Sequence, residues 1–130
     1  MKQNEIHLSP AEWNVMECLW EQSPRNGRQV VECMAQRMGW SRSTTLTLLH
    51  RLEEKGAVGS DSEHGKKQFF PLIQRNEAAL QETESFLKRV YQGSLSLMVS
   101  AMTRKGDLSK AEIDELQALL QELEGGENHA

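Results

Sequence analysis

The sequence predicts a mainly α-helical fold with one small β-hairpin. Three segments with helical spacing of apolar residues and recognisable end signals occupy the first 56 positions. Two short apolar runs then flank a polar stretch that contains glycine, which is a hairpin signal. Helix, helix, helix, hairpin is the element order of a winged helix-turn-helix domain. We expect that domain in residues 1–75, followed by dimerisation helices in residues 76–130.

The first two helices are predicted from their start and stop signals. Residues 9–12 read Ser-Pro-Ala-Glu, a capping box with proline at the first helical position. Asn26 is a suitable cap for the second helix, and Gly39 is a suitable end. The residues expected to face the core from these helices are Trp13, Met16, Leu19, Trp20, Val30, Val31 and Met34.

The third helix carries most of the functional information. Ser41 is its expected cap and Gly56 its expected end. Between them, residues at helical spacing form one face that we expect to be buried. These residues are Thr45, Leu48, Leu49 and Leu52.

The opposite face of this helix is polar and lacks acid. From Trp40 to Leu52 there is no carboxylate, although the chain has a formal net charge of −4. Short hydroxyls and guanidinium groups suit the DNA major groove, where they meet base edges and phosphates. The alternative is an ordinary amphipathic helix with a solvated face. The residues expected to face DNA are Ser41, Arg42, Ser43, Thr44, Thr47, His50 and Arg51.

The hairpin is predicted from the apolar runs in residues 57–61 and 67–72. As the wing of the domain, it would bring Lys66 and Lys67 to the DNA backbone. His64 would lie near its tip.

The charge is divided unevenly along the chain. Residues 1–75 carry ten Lys and Arg against nine Asp and Glu, a balance of +1, whereas residues 76–130 carry five against ten, a balance of −5. Local positive charge, rather than the total, sets the attraction to phosphates. The N-terminal part is nevertheless only weakly basic, so we expect modest non-specific affinity and a need for two half-sites.

The remainder of the chain is helical in pattern. Asn76 is expected to cap a helix that ends at Gly93, and Ser94 to open a second helix. Residues 95–102 are apolar on most faces, so this segment should be buried from several directions. Residues 109–112 form a second capping box that starts the last helix.

These three helices carry more apolar surface than they can cover in a monomer. A twofold interface would cover it, and packing back on the N-terminal domain is the alternative. Residues 124–130 read as a frayed tail. The residues expected at the dimer interface are Leu95, Met98, Met102, Ile113, Leu116, Leu119, Leu120 and Leu123.

Short motifs are spread in order along most of the chain. They are Leu8-Ser9-Pro10-Ala11-Glu12-Trp13, Met16, Trp20, Trp40-Ser41, Thr44, Thr47-Leu48, Arg51-Leu52, Lys55-Gly56, Val90-Tyr91 and Asp107-Leu108-Ser109. In combination they resemble the penicillinase and methicillin-resistance repressor family (BlaI/MecI/CopY-like), from about Ile6 to about Leu123.

The resemblance implies a cytoplasmic, dimeric transcriptional repressor. In that family an N-terminal winged helix binds a palindromic operator in double-stranded DNA, and C-terminal helices hold the homodimer together. In the β-lactam branch a membrane sensor triggers proteolysis of the dimerisation region. In the copper branch a C-terminal cysteine cluster senses the metal.

The chain departs from the family in three places. Family members often have Lys and Arg where this chain has Ser43 and Leu46, so we expect a different operator, with Leu46 against a thymine methyl group and Arg42 restoring part of the charge. The C-terminal region has no cysteine, which argues against copper sensing. By ungapped correspondence the family's cleavage bond falls at Ala101-Met102, where the residue types differ, so cleavage there stays open.

Other classes of protein find little support. The four histidines are scattered and no nucleophile motif or phosphate loop occurs, so we expect no catalytic residue, metal or cofactor. No apolar run is long enough to cross a membrane, and the start has no signal-peptide core. Cys18 and Cys33 are expected to be thiols rather than a disulfide. The weak basic balance and Leu46 leave one alternative, a winged-helix adaptor that docks a protein and has lost DNA binding.

Overall fold

The computed structural model describes residues 6–62, 65–106 and 108–128, except for the side chains of residues 127 and 128. Within these ranges the elements in chain order are α1 (Pro10–Glu21), β1 (Arg25–Asn26), α2 (Gly27–Met38), α3 (Arg42–Lys55), β2 (Val58–Asp61), β3 (Gln68–Pro71), α4 (Arg75–Tyr91), α5 (Leu95–Lys105) and α6 (Lys110–Asn128). The expected fold class, mainly helical with a small β element, is confirmed.

The chain forms two compact units, one reaching Ser85 and the other starting at Phe86. The boundary therefore lies inside α4, whose first residue is Arg75.

The ends of the first three helices lie where the sequence places them. Ser9 accepts a hydrogen bond from the Glu12 backbone N–H (3.1 Å), and the Glu12 carboxylate accepts one from the Ser9 N–H (2.8 Å). Asn26 makes the same reciprocal pair with Gln29 at the start of α2. These bonds satisfy amide groups that have no partner within the helix. The prediction of both helix starts is thus confirmed.

A three-stranded antiparallel sheet completes the first unit, with strand order β1-β3-β2. In the hairpin Val58 pairs with Pro71 and Ser60 with Phe69. A side chain at Gly59 would bring its Cβ to 2.7 Å from the ring of Phe70, so the close ring packing requires glycine there. The two-residue strand β1 was not expected from the sequence, because two residues show no periodicity.

The core of the first unit joins α1, α2 and α3 to the sheet. Its fully or nearly fully buried side chains are Val15, Met16, Cys18, Leu19, Val30, Met34, Leu48, Leu49, Leu52, Ala57, Val58, Phe69, Ile73 and Ala78.

Three of the residues expected in this core are only half-buried, namely Trp13, Trp20 and Val31. The tryptophans lie at the edge because each indole N–H has a polar partner. Trp20 donates to the carbonyl oxygen of Ile73 (2.8 Å) and Trp13 to the carboxylate of Glu17 (2.9 Å).

The start of α4 differs from the expectation. The helix begins at Arg75, one residue before the predicted cap, so Asn76 lies in its first turn. Glu77 instead accepts a hydrogen bond from the Gln74 N–H (3.3 Å). The prediction that Asn76 caps this helix is therefore wrong, and the Glu77 carboxylate reaches back to the residue before the helix instead.

The caps of α5 and α6 agree with the sequence. Ser94 accepts a bond from the Leu97 N–H (3.1 Å), and Ser109 and Glu112 form the predicted capping box.

One expectation for these helices is wrong. The helix α6 continues to Asn128 rather than fraying from residue 124, because two glycines weaken a helix without forbidding it. No residue of α5 is fully buried within one chain. The burial expected for α5 depends on a twofold interface and stays a prediction. Residues 129 and 130 lie outside the described ranges.

Among the described helices, none combines the length and the apolar character needed to cross a membrane.

Candidate nucleic-acid interface

The helix α3 has one buried face and one exposed polar face. Thr45, Leu48, Leu49 and Leu52 are between 0% and 7% exposed, so they fix the rotation of the helix about its axis. The seven polar residues predicted to face DNA are all exposed, and Leu46 is half-buried at their margin. The structure thus brings the predicted set together on one surface, which we call the α3 polar face; its residues are Ser41, Arg42, Ser43, Thr44, Leu46, Thr47, His50 and Arg51.

Hydroxyl groups cluster at the first turn of α3. The Ser41 hydroxyl lies 3.1 Å from that of Thr44 and 3.3 Å from that of Ser43. It also accepts the Thr44 backbone N–H (3.2 Å), which caps the helix. These contacts hold the Thr44 side chain in one orientation, as a hydroxyl that reads a base edge must be held.

The two arginines of the α3 polar face are not paired with any carboxylate that the structure describes. Within the described parts of the chain, neither Arg42 nor Arg51 forms an ion pair. Their guanidinium groups can therefore contact phosphates or guanines without first leaving a partner.

A cleft between α2, α3 and the wing lies beside this face. It brings together Leu46, His50, Lys66 and Lys67, which the sequence had placed at the DNA interface. The remaining residues that line the cleft are Asn26, Gly27, Arg28 and Phe69.

The N-terminal turn of α2 is the part of this cleft that was not predicted from the sequence. Asn26 caps α2, and the first amides of a helix attract phosphate. Arg28 adds a cation whose only ion pair among the described residues is an exposed contact with Glu32 (3.4 Å). Such a pair contributes little, so it can be exchanged for a phosphate. A helix cap followed by an arginine was the available sequence signal.

The two lysines of the wing have different surroundings. Lys67 lies 3.5 Å from the Glu53 carboxylate and 5.4 Å from the ring centre of Phe69. Glu53 also accepts the hydroxyl of Ser60 (2.6 Å), which ties the hairpin to α3. Both lysines are exposed, but Lys67 has a carboxylate partner on α3. His64, expected near the tip, lies outside the described residues.

The far end of α3 is joined to α1 through a buried carboxylate. Glu12 is 1% exposed, and Lys55 donates to it at 2.6 Å. Burial alone would raise the pKa of Glu12, but the bonds from Lys55 and from the Ser9 N–H outweigh burial and hold the pKa below its ordinary value. The carboxylate is thus ionised and keeps α3 in place.

The predicted dimerisation residues lie in the second unit and are mostly uncovered. In α5, Leu95 and Met102 are exposed and Met98 is half-buried. The apolar residues of α6 are between 38% and 66% exposed within one chain. These are Ile113, Leu116, Leu119, Leu120 and Leu123.

The residues at the possible cleavage bond, Ala101 and Met102, are both exposed and lie inside α5. The expected burial of this bond depends on the dimer and stays a prediction. Its position inside a helix also matters, because a bond in a formed helix must open locally before a protease can cut it.

The structure also places the groups considered for metal or redox chemistry. No group of three or more His, Cys, Asp or Glu side chains lies close enough for a metal site among the residues that the structure describes. Cys18 and Cys33 are free thiols, the first buried and the second half-buried. Burial and the neighbouring Cys33 thiol raise the pKa of Cys18 to about 12.

Similar sequences include proteins named as repressors and regulatory proteins. A sequence model of the penicillinase repressor family matches residues 8–122. The penicillinase repressor of Bacillus licheniformis is 34% identical over 115 residues, covering 88% of this chain and 90% of the relative. The methicillin resistance regulatory protein MecI of Mammaliicoccus sciuri is 28% identical over 120 residues, covering 92% of this chain and 98% of the relative.

Two solved structures resemble the first part of the chain. One is the solution structure of the DNA-binding domain of the repressor BlaI, and the other is monomeric Bacillus licheniformis BlaI in complex with the blaP half-operator. Each is 30% identical, covers 57% of this chain and 90% of the solved chain, and superposes with a TM-score of 0.52.

The family match covers most of the chain and agrees with the winged-helix architecture. These two relatives are named as a repressor and a regulatory protein, not as enzymes. The chain is a winged-helix transcriptional repressor, and it belongs to the penicillinase repressor family.

Proposed function

We propose that the chain represses transcription as a homodimer that binds a palindromic operator in double-stranded DNA. The observation that carries this proposal is the α3 polar face, which is exposed, hydroxyl-rich and free of acid from Trp40 to Leu52. Its opposite face is fixed in the core by Leu49 and Leu52. A rigid helix of this kind can present Thr44, Thr47 and Arg51 to the base edges of the major groove.

Contacts to the DNA backbone would come from the cleft beside α3. The α2 N-terminus, Arg28 and Lys66 lie on the same side as His50. Phosphate contacts fix the register of the protein on the duplex without reading sequence. The complex of Bacillus licheniformis BlaI with a half-operator supports this assignment by similarity. Because its target is chromosomal DNA, we place the protein in the cytoplasm.

The dimer is proposed from the uncovered apolar residues of the second unit. Leu119, Leu120 and Leu123 are each more than half exposed in one chain. Exposed leucines repeated along one helix favour association with a second copy. Each copy would then contribute one α3 to one half of the palindrome.

Release of repression is proposed to act on these C-terminal helices, through proteolysis or another signal. Cleavage at Ala101-Met102 would separate α6 from the rest of the chain and leave a monomer with half the phosphate contacts. A membrane sensor-protease pathway is the partner that the family resemblance implies. Mass spectrometry of the protein from induced cells tests this step. Full-length protein at a time when the target genes are active would contradict cleavage and favour a ligand or partner.

Binding to DNA is tested with a duplex from the chain's own promoter. If a dimer contacts about six phosphates, affinity should fall about a thousandfold between about 50 and about 200 mM salt. An absence of binding to this duplex, together with no duplex selected from a random-sequence pool, would instead favour the protein-interaction adaptor.

Dimerisation is tested by sedimentation of the full chain and of a fragment that ends at Ser85. The full chain should be a dimer and the fragment a monomer. A double substitution of Leu116→Glu and Leu120→Glu should also give a monomer. A dimeric fragment would place the dimer interface in the first unit and contradict the proposal.

A further inference from the structure

Arg75, the first residue of α4, forms a two-pronged contact with α1. Its Nε donates to one carboxylate oxygen of Glu17 at 3.0 Å, and its Nη2 donates to the other at 2.9 Å. The guanidinium group also lies over two indole rings, 5.7 Å from the ring centre of Trp13 and 6.0 Å from that of Trp20. The start of α4 is therefore held to α1 by three side chains.

These side chains are themselves fixed. The rings of Trp13 and Trp20 meet edge to face with their centres 5.1 Å apart. Trp13 donates its indole N–H to Glu17, and Trp20 donates to the carbonyl oxygen of Ile73, two residues before α4. The carboxylate and the two rings on α1 are thus held in place independently of Arg75.

Stability is only part of what this contact provides. The side chains of Arg75 and Glu17 are 55% and 33% exposed, which limits the contribution of the ion pair to folding. A guanidinium that stacks on rings and donates two hydrogen bonds to one carboxylate nevertheless restricts the direction of the helix that carries it. The reason is that both the plane of the group and its two N–H donors must match the partner. A lysine ammonium lacks both constraints.

We propose that Arg75 is a positioning residue for operator recognition. It fixes the direction in which α4 leaves the DNA-binding unit, and so sets the separation of the two α3 helices in the dimer. The inference rests on the proposed dimer, because α4 continues past Ser85 towards the predicted dimerisation helices. Two recognition helices bind together only when their separation matches the half-site spacing, about 34 Å for one turn of DNA.

The consequence concerns binding to two half-sites rather than to one. Once the first half-site is bound, engagement of the second is intramolecular and depends on how well the linked geometry fits. If the first turn of α4 were no longer held to α1, the dimer would sample many separations between its two α3 helices. Affinity for the correct spacing would fall, and tolerance of incorrect spacings would rise.

The experiment compares the full-length wild type with Arg75→Ala, Arg75→Lys and Glu17→Gln. Arg37→Ala is the matched control, since Arg37 is an exposed arginine that pairs with Glu21 of α1 instead of holding α4. The DNA is a two-half-site duplex selected by the wild type from a random-sequence pool. Versions with one or two base pairs added or removed between half-sites, and a single half-site duplex, complete the set.

Every variant should bind the single half-site duplex with an affinity within about twofold of wild type, since Arg75 lies outside the α3 polar face. At the selected spacing, Arg75→Ala and Arg75→Lys should bind about tenfold more weakly and lose most of their preference between spacings. Glu17→Gln should change in the same direction, and Arg37→Ala should match wild type.

Two results would overturn the inference alone. One is an unchanged spacing profile in Arg75→Ala; the other is an equal loss on the single half-site and on the full duplex, which would indicate a general defect. A wild type that binds as a monomer without any spacing preference would overturn the proposed dimer and this inference together. Thermal melts by circular dichroism establish that each variant is folded.

Discussion

The ammonium nitrogen of Lys55 lies 2.6 Å from a carboxylate oxygen of Glu12, and this contact joins the last turn of α3 to the first turn of α1. The same carboxylate closes the α1 capping box through the Ser9 N–H, and Lys55 also donates to the carbonyl oxygen of His7 (2.6 Å). One buried acid therefore both starts a helix and positions the helix proposed to read DNA. Its ionisation state should matter for folding.

The free energy of unfolding is expected to fall as the pH falls below about 4.5, the ordinary pKa of glutamate. The pKa of Glu12 is lowered in the folded protein, where the bonds from Lys55 and Ser9 outweigh burial; the pKa of Glu17 is lowered by Arg75. A carboxyl with a lowered folded pKa stabilises the protein above its unfolded pKa, and this contribution is lost as the pH falls through the folded value. Urea unfolding at a series of pH values measures the effect.

The variant Glu12→Gln is the comparison for this experiment. It should be less stable than wild type at pH 7 and show a smaller decrease in acid, because the group that titrates is gone. If the free energy of unfolding fell equally with pH in wild type and variant, Glu12 would not contribute to the pH dependence.

The substitution Thr45→Val is expected to stabilise the protein. The Thr45 hydroxyl is buried, and among the described residues it has no hydrogen-bond partner. Replacing an unpaired buried hydroxyl by a methyl group of similar size should add about 1 kcal/mol to the free energy of unfolding. Thr47→Val, on the exposed side of the same helix, should give no comparable gain. A lower stability for Thr45→Val would mean that its hydroxyl is paired in solution.

Cys18 is expected to resist alkylation in the folded protein. Only the thiolate reacts, and burial, the largest cause of the raised pKa of Cys18, disfavours the thiolate. In the variant Cys33→Ser, iodoacetamide should label Cys18 slowly under native conditions and rapidly in urea, as followed by mass spectrometry. Equal rates in the two conditions would contradict the burial of this thiol.

The first unit was largely predictable because its signals are local. Capping residues such as Ser9 and Ser41 and the glycine after α3 mark helix ends through bonds within a few residues. The buried face of α3 followed from helical spacing, as the burial of Leu49 and Leu52 shows. These features need no knowledge of the tertiary structure.

Features that depend on distant contacts were not predictable. The strand β1 exists because Arg25 and Asn26 pair with β3, more than forty residues away in the sequence. The cleft that adds Arg28 to the interface, and the contact of Arg75 with Glu17, likewise join separate elements. The apolar composition of α5 indicates burial without indicating which surface covers it, so its exposure within one chain was not predictable from the sequence.

Binding of the operator by the α3 polar face is tested most directly with two variants of that face, Thr44→Ala and Arg51→Ala. Fluorescence anisotropy with the selected duplex, at one fixed salt concentration, measures their affinities. Arg37→Ala is the control, since Arg37 lies at the end of α2 away from the cleft. Each α3 variant should lose about 1–3 kcal/mol of binding free energy while the control binds like wild type. Wild-type affinity in both folded α3 variants would contradict the assignment of this face to DNA.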